Sequence, residues 1–311
     1  MKEMLVYGLS FFFKLICYKK FKIINIRGNI MQKVLKKYFP IFLIPTLIAF
    51  SIAFIIPFIT GLYLSFCEFI TISDATFVGI ENYKKAFSAG QGFVEAFGFT
   101  TIFTIISIIT VNILAFTLAY FLTKKIRGTN FFRTVFFMPN LIGGIVLGYT
   151  WQSMINSFLA NYGTTLVANQ KYGFIGLIIL MNWQMIGYMM IIYIAGLQSV
   201  PNELIESAKI DGATKWQTLK NVTIPMVMPS ITICTFLTLS NSFKLFDQNL
   251  ALTNGAPMHK TEMLALNIVN TFYGRNNYEG VGQAKAVIFF VIVAVIALSQ
   301  LYFTRKKEVE Q

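Results

Sequence analysis

Long stretches without a charged residue constrain this chain more than any other feature. Uncharged stretches lie at 40–66, 96–123, 221–243 and 286–304, and the stretch 134–202 contains one charge, Lys171. A helix needs roughly 20 predominantly apolar residues to cross a bilayer, so the last stretch has room for two crossings and each of the others for one. The sequence therefore predicts an all-α polytopic membrane protein with six spans, centred near residues 54, 108, 145, 185, 233 and 294.

The basic charge of the chain follows this predicted topology. The chain contains 26 Lys and Arg against 13 Asp and Glu, which in a soluble protein would suggest a nucleic-acid partner. If both termini are cytoplasmic, 19 of the 26 basic residues fall in cytoplasmic segments, which is the positive-inside bias of membrane proteins. We therefore expect both termini in the cytoplasm and no nucleic-acid partner.

The predicted spans divide the chain into a basic cytoplasmic N-terminal segment at 1–39, a six-helix transmembrane domain at 40–304 and a cytoplasmic tail at 305–311. Two interpretations of the first 30 residues stay open. They form an interfacial anchor, because Lys alternates with Phe, Tyr and Ile, or they are a dispensable segment before Met31. The three cysteines lack metal-ligand spacing and are interpreted as packing residues: Cys17, Cys67 and Cys234.

The segment 199–225, between the fourth and fifth predicted spans, is expected to form two short amphipathic helices around a glycine turn. Gly212 follows Asp211 where the first helix should stop, a place that often requires a left-handed backbone. Asp211 could also cap the second helix, which carries Trp216 and Leu219 as an apolar stripe. One face of the first helix is expected to be apolar: Leu204, Ile205 and Ala208.

This segment resembles the cytoplasmic loop shared by permeases of binding-protein-dependent ABC importers. The pattern of that family is Glu-Ala-Ala, three residues, Gly, nine residues and Ile-x-Leu-Pro. Here Glu206-Ser207-Ala208 is followed by three residues and Gly212, and nine further residues lead to Val222-Thr223-Ile224-Pro225. Four other segments resemble the carbohydrate-type members of the family, in the family's order: 78–83, 127–139, 210–216 and 252–257.

The resemblance implies a type I ABC importer permease fold with six transmembrane helices and a cytoplasmic coupling helix–turn–helix. It implies a membrane-spanning subunit that translocates a sugar or related polyol delivered by an extracellular solute-binding protein. The segment 199–225 would dock on a separate ATPase and transmit its movement to the helices. The residues implied in this ATPase coupling are Glu206, Ala208, Asp211, Gly212 and Pro225.

The resemblance also implies the partners and the location of the chain. A second homologous permease subunit, two ABC ATPase subunits and the binding protein would complete the importer, in the inner or plasma membrane of a bacterium. The chain is expected to be no enzyme and to hold no cofactor, because ATP and Mg²⁺ would be bound by the partner ATPase. The stretch from Gly255 to Lys260-Thr261 lacks the second glycine that a phosphate-binding loop needs.

Substrate selectivity is expected to come from the spans. Sugars are neutral and hydrogen-bonding, so their sites combine aromatic faces with amide and hydroxyl groups. An Asn can also simply join two helices, and a Tyr can mark the membrane interface. The expected substrate-pathway residues are Tyr149, Asn182, Tyr188, Asn241, Phe243 and Asp247. The glycine pair Gly144-x-x-x-Gly148 is expected to permit close helix packing.

Two alternatives of other classes stay open. An ion-coupled secondary transporter would need carboxylates deep in the membrane, and only Glu68 and Asp247 approach the predicted spans. A membrane-embedded enzyme would need a nucleophile–base pair or a metal cluster, and the single histidine, His259, is expected to be a solvated loop residue without metal ligands nearby. Both alternatives leave the pattern of 199–225 unexplained.

Overall fold

The computed structural model of the chain describes the backbone of residues 28–124 and 127–306, and side chains from residue 38 onward except at 42. Most of the predicted N-terminal segment, with Cys17, lies outside the described residues, and so do 307–311 of the predicted tail. The described residues divide into two compact units, one up to Gly61 and one from Leu62 onward. Each unit is described by itself below.

Helices α1 (Gly28–Phe50) and α2 (Ile56–Leu64) are joined by a π-helical turn at Ser51–Ile55. The stretch Tyr38–Leu64 is long and apolar enough to cross a membrane. Within the first unit, Phe50, Phe54 and Phe58 stand four residues apart, so their rings lie on one helix face. The ring centroids of successive pairs are 5.2 and 6.2 Å apart.

The described residues of the second unit are mostly helical. They include one small sheet, in which β1 (Cys67–Glu68) pairs antiparallel with β2 (Thr76–Phe77), with Cys67 opposite Phe77. Short 3-10 turns lie at Ile72–Asp74, Met138–Leu141 and Leu166–Ala168, and a π-helical turn lies at Leu219–Thr223. The helices of this unit are α3 (Glu81–Ala86), α4 (Phe93–Leu122), α5 (Thr129–Phe137), α6 (Gly144–Ala160), α7 (Gln170–Gln198), α8 (Asn202–Ile210), α9 (Lys215–Thr218), α10 (Ile224–Met226), α11 (Met228–Phe243), α12 (Asp247–Leu252), α13 (Leu264–Gly274) and α14 (Glu279–Arg305).

The predicted all-α membrane fold is confirmed, with four to six candidate spans where six were expected. Among the described residues, four helical stretches are long and apolar enough to cross a membrane. Two bent pairs, Thr129–Leu141 with Gly144–Ala160 and Lys215–Met226 with Met228–Phe243, raise the number to six if each pair is one span. The third predicted span is bent rather than straight. Its expected centre, near residue 145, lies at a 102° bend between the first pair, because Gly143 is extended there, with ψ near 140°. Helix α6, the second helix of this pair, has 17 residues and is about 26 Å long.

The core of the second unit lies between α4 and α7, with α11 packed against α4. Phe103, Met189 and Tyr193 are fully buried there. Some polar groups inside this core are paired across helices, which removes the cost of leaving them unbonded in lipid. The Tyr193 hydroxyl donates to Oδ1 of Asn112 at 2.7 Å.

Candidate functional site

The segment 199–225 folds as the predicted helix–turn–helix. Helix α8 ends at Ile210, and Gly212 adopts a left-handed conformation with φ of 79°, which confirms the predicted glycine turn. The expected capping of the second helix by Asp211 is wrong. Thr214 caps α9 instead: its hydroxyl accepts the N–H of Gln217, whose side chain accepts the N–H of Thr214 in return. This reciprocal pair satisfies two donors at the helix start.

The outer surface of this helix–turn–helix combines acidic and apolar side chains. Glu206, Asp211 and Gly212 are exposed, whereas Ala208 and Pro225 are half-buried. Ile210 is 85% exposed and Trp216 is 68% exposed. The expected apolar face of α8 is divided, since Ile205 packs against the main core and Leu204 stays exposed. Exposed apolar side chains rimmed by charges are typical of a contact surface for another protein.

The base of the helix–turn–helix is fixed to the bundle. A Cβ at Gly196 of α7 would overlap the side chain of Ser230 of α11, so the two helices that carry the segment approach closely there. Thr223 and Val227 are buried at the foot of the segment. Since close-packed helices move as rigid bodies more readily than they deform, a force on α8 and α9 would reach α7 and α11.

A cavity of about 550 Å³ lies between α7 and the α11–α12 region. Three expected pathway residues, Tyr188, Asn241 and Asp247, line it. The other lining residues are Asn140, Met181, Gln184, Met185, Leu237, Lys244, Leu245, Phe246 and Gln248. More than half of all its lining residues are polar. Amides, a phenol and one residue of each charge around a cavity of this size suit a neutral, hydrogen-bonding ligand.

The other three expected pathway residues do not line this cavity. Asn182 instead joins helices, because its amide donates to Thr110 Oγ1 at 3.0 Å and to the Ile178 carbonyl at 2.8 Å. Phe243 is buried in a separate apolar cluster with Ala297 of α14. Tyr149 is 56% exposed on α6.

Gln184 and Gln248 are the most informative lining residues that sequence reasoning missed. The Nε2 of Gln248 donates to Oε1 of Gln184 at 2.7 Å, and Gln184 in turn donates to the Ile142 carbonyl at 3.3 Å. A signal was available for Gln184, which precedes Tyr188 by four residues and therefore shares its helix face. Asn182 stands six residues from Tyr188 and points elsewhere.

Sequence reasoning also missed a buried polar cluster near the start of α4, at the end of the bundle opposite the helix–turn–helix. The Lys285 ammonium is fully buried and donates to the Gln91 carbonyl, Asn267 Oδ1 and Thr271 Oγ1 at 2.7–3.0 Å. Asn267 donates in turn to the buried Glu262 carboxylate at 3.2 Å. These bonds connect α13, α14 and the loop before α4. Within 28–124 and 127–306, no group of three or more His, Cys, Asp or Glu side chains is placed to hold a metal ion.

Comparisons with known proteins agree on one group of transport proteins. Residues 129–309 match the family model described as binding-protein-dependent transport system inner membrane component. The chain is 44% identical over 278 residues to the probable starch degradation products transport system permease protein AmyD of Thermoanaerobacterium thermosulfurigenes, covering 87% of this chain and 94% of AmyD. It is 33% identical over 290 residues to the multiple sugar-binding transport system permease protein MsmF of Streptococcus mutans, covering 90% of this chain and 99% of MsmF.

The fold is similar to that of a solved importer. One chain of a bacterial ABC transporter involved in the import of the acidic polysaccharide alginate superimposes with a TM-score of 0.75, at 21% sequence identity. The match covers 89% of this chain and 99% of that one. At this identity the likeness establishes the shared fold.

Proposed function

The chain belongs to the family of binding-protein-dependent transport system inner membrane components, and on that premise we propose that it carries a sugar or related polyol into the cell as one permease subunit of an ATP-driven importer. It has the type I ABC importer permease fold. The ion-coupled secondary transporter considered above loses its support, since family membership explains the pattern of 199–225 without ion coupling.

The exposed helix–turn–helix at 199–225 supports the coupling part of the proposal more than any other observation. Glu206 and Asp211 would contact a separate ATPase, and Gly212 would set the angle between α8 and α9. Ala208, half-buried, would keep α8 close to the bundle, and Pro225 lies where the segment enters the fifth span. ATP and Mg²⁺ would be bound by two ATPase subunits, so the chain itself would hydrolyse no ATP. Closure of the ATPases would then rock the helices between two orientations.

The cavity beside α7 supports the substrate part of the proposal. AmyD and MsmF are permeases of systems named for starch degradation products and for multiple sugars. Saccharide hydroxyls would exchange hydrogen bonds with Gln184, Asn241 and Gln248, and Tyr188 would offer an aromatic face. An extracellular binding protein would deliver the saccharide, and a second homologous permease would complete the pathway.

The proposal includes an orientation. Both termini and the segment 199–225 would lie in the bacterial cytoplasm, as the positive-inside bias favours. The basic segment 1–39 and the tail 305–311 would then flank the transmembrane domain 40–304 on the cytoplasmic side.

Co-purification tests the proposal. The tagged full chain, expressed with its neighbouring genes, is expected to retain an ATPase and a second permease in detergent. A thermal-shift screen of the associated binding protein across saccharides would identify the ligand, and labelled ligand should accumulate in proteoliposomes only with ATP. If the chain never retains an ATPase, or uptake proceeds without ATP, the proposal fails.

A further inference from the structure

A second cavity, separate from the pathway, lies between the helix–turn–helix and the adjoining ends of α4 and α7. Its volume is about 410 Å³, within the range of roughly 300–1,000 Å³ that is common for small-molecule sites. None of the proposed coupling or pathway residues lines it. Its apolar wall is formed by Leu197, Val200, Ile205 and Leu219, and the first three belong to or pack against the main core.

Three lysines from three different segments also line this cavity: Lys124 after α4, Lys209 on α8 and Lys215 on α9. None of the described lining residues is acidic. The ion pairs in the described part of the chain are Lys84–Glu81 and His259–Glu262, so none of the three lysines is paired there with a carboxylate. Three like charges around one cavity repel each other, and a bound anion would relieve that repulsion.

Lys124 is the second residue after the end of α4 at Leu122, so its ammonium lies at the end of a helix that can cross a membrane. Its ammonium lies 4.3 Å from the centre of the Tyr120 ring and 5.2 Å from that of Phe121, whose side chain is exposed. A cation over aromatic rings at a helix end is the arrangement expected at a lipid headgroup level.

We infer that this cavity binds an anionic phospholipid such as phosphatidylglycerol. The lipid phosphate would lie among the three lysines, and the glycerol and first methylenes would cover the apolar wall. A soluble phosphate would leave that wall uncovered. The inference rests on the proposed function in one respect, the choice of the cytoplasmic leaflet as the source of the lipid. The proposed orientation places the cavity at the cytoplasmic surface, where anionic lipids attract basic residues. A bound lipid would tie α8 and α9 to α4.

Native mass spectrometry of the assembled importer tests the inference, with phosphatidylglycerol and phosphatidylcholine as probes. We expect tighter binding of phosphatidylglycerol and a loss of at least tenfold in its affinity in the triple variant Lys124→Gln, Lys209→Gln, Lys215→Gln. The matched control removes three basic charges outside the cavity, Arg127→Gln, Lys220→Gln, Lys306→Gln, and should change the affinity less than twofold. Replacement of the three cavity lysines by Arg should preserve binding. If the triple Gln variant fails to assemble, the affinities of the single Gln variants are measured in its place.

Equal affinity for the two lipids, or unchanged phosphatidylglycerol affinity in the cavity variants, would overturn the inference. It is also overturned if the cavity variants lose the ATPase while lipid binding stays unchanged, since the cavity would then belong to the ATPase contact. Repeating the titration on full-length chain purified without ATPase separates the two proposals. If the isolated chain binds phosphatidylglycerol selectively but never retains an ATPase, the proposed function is wrong and the lipid site is still supported.

Discussion

The side chains of Gln184 on α7 and Gln248 on α12 are joined by a 2.7 Å hydrogen bond at the wall of the 550 Å³ cavity. The two amides stand 64 residues apart in the chain. Each amide keeps further donors and acceptors, so a saccharide in the cavity could bond to both without breaking this contact. The pair therefore joins two helices and presents polar groups to the proposed pathway.

Replacement of Gln184 by Leu is expected to raise the KM for saccharide uptake about 2–10-fold, the effect of losing one hydrogen bond of about 0.5–1.5 kcal/mol. Asn182→Leu is the matched control, because Asn182 bonds to Thr110 and not to the cavity. The control should lower the Tm of the purified importer and leave KM unchanged. Uptake in proteoliposomes measures the first effect and thermal denaturation the second; equal KM values for both variants would remove Gln184 from the pathway.

Sequence patterns predict the spans and the 199–225 segment better than they predict the cavity. Charge-free stretches and a glycine at a helix end are local features, so the number of spans and the left-handed turn at Gly212 could be predicted. The lining role of Gln184 depends on which face of α7 meets α12. The four-residue spacing places Gln184 on the face of Tyr188, but α7 is apolar on most sides, so its sequence does not show that this face meets α12. Burial of Lys285 likewise needs acceptors from Gln91 and Asn267, which are distant in sequence.

The packing of α6 against α12 predicts a strong effect at Gly148. A Cβ there would lie 2.5 Å from Cβ of Ala251, and one at Gly144 would lie 2.8 Å from Cβ of Asp247, which confirms the expected close packing of this glycine pair. Gly148→Ala should therefore destabilise the chain by about 1–3 kcal/mol through overpacking. Gly98→Ala on α4 is the control, since a Cβ there meets nothing within 4 Å. A Tm that falls only for Gly148→Ala would support this packing, and equal shifts would contradict it.

Substitutions at Gly212 are expected to reduce coupling to the ATPase because they strain the backbone of the turn. A Cβ at Gly212 meets nothing within 4 Å, so the cost of Gly212→Val comes from the left-handed φ of 79°, at about 1–2 kcal/mol. Gly212→Val and Gly212→Pro should reach the membrane but lower uptake at least tenfold, whereas Gly212→Asn should retain most of it because Asn tolerates this conformation.

Gly163 provides the matched control for these variants. It has a similar φ of 67° with open space around it, in the loop between α6 and α7. Gly163→Val should therefore carry the same local strain without a loss of uptake. Normal uptake by Gly212→Pro, or an equal loss of uptake in the Gly212→Val and Gly163→Val variants, would show that the turn at Gly212 has no role in coupling.

The hydrogen bonds of Lys285 predict that this residue stabilises the end of the bundle opposite the helix–turn–helix. Lys285→Met keeps the length of the side chain and removes its three donated bonds. Asn267 Oδ1 and Thr271 Oγ1 then lose a buried donor, whereas the Gln91 carbonyl still accepts from the Asn267 amide. Each unpaired buried acceptor costs about 1–3 kcal/mol, and a clear fall in Tm should follow. Lys84→Met is the control, because its ion pair with Glu81 is exposed and exposed pairs contribute little. Because Asn267 bonds to both Glu262 and Lys285, Asn267→Leu should also lower Tm, and the double variant should lower it by less than the sum of the two single effects. Additive effects would show that the two residues stabilise the fold independently.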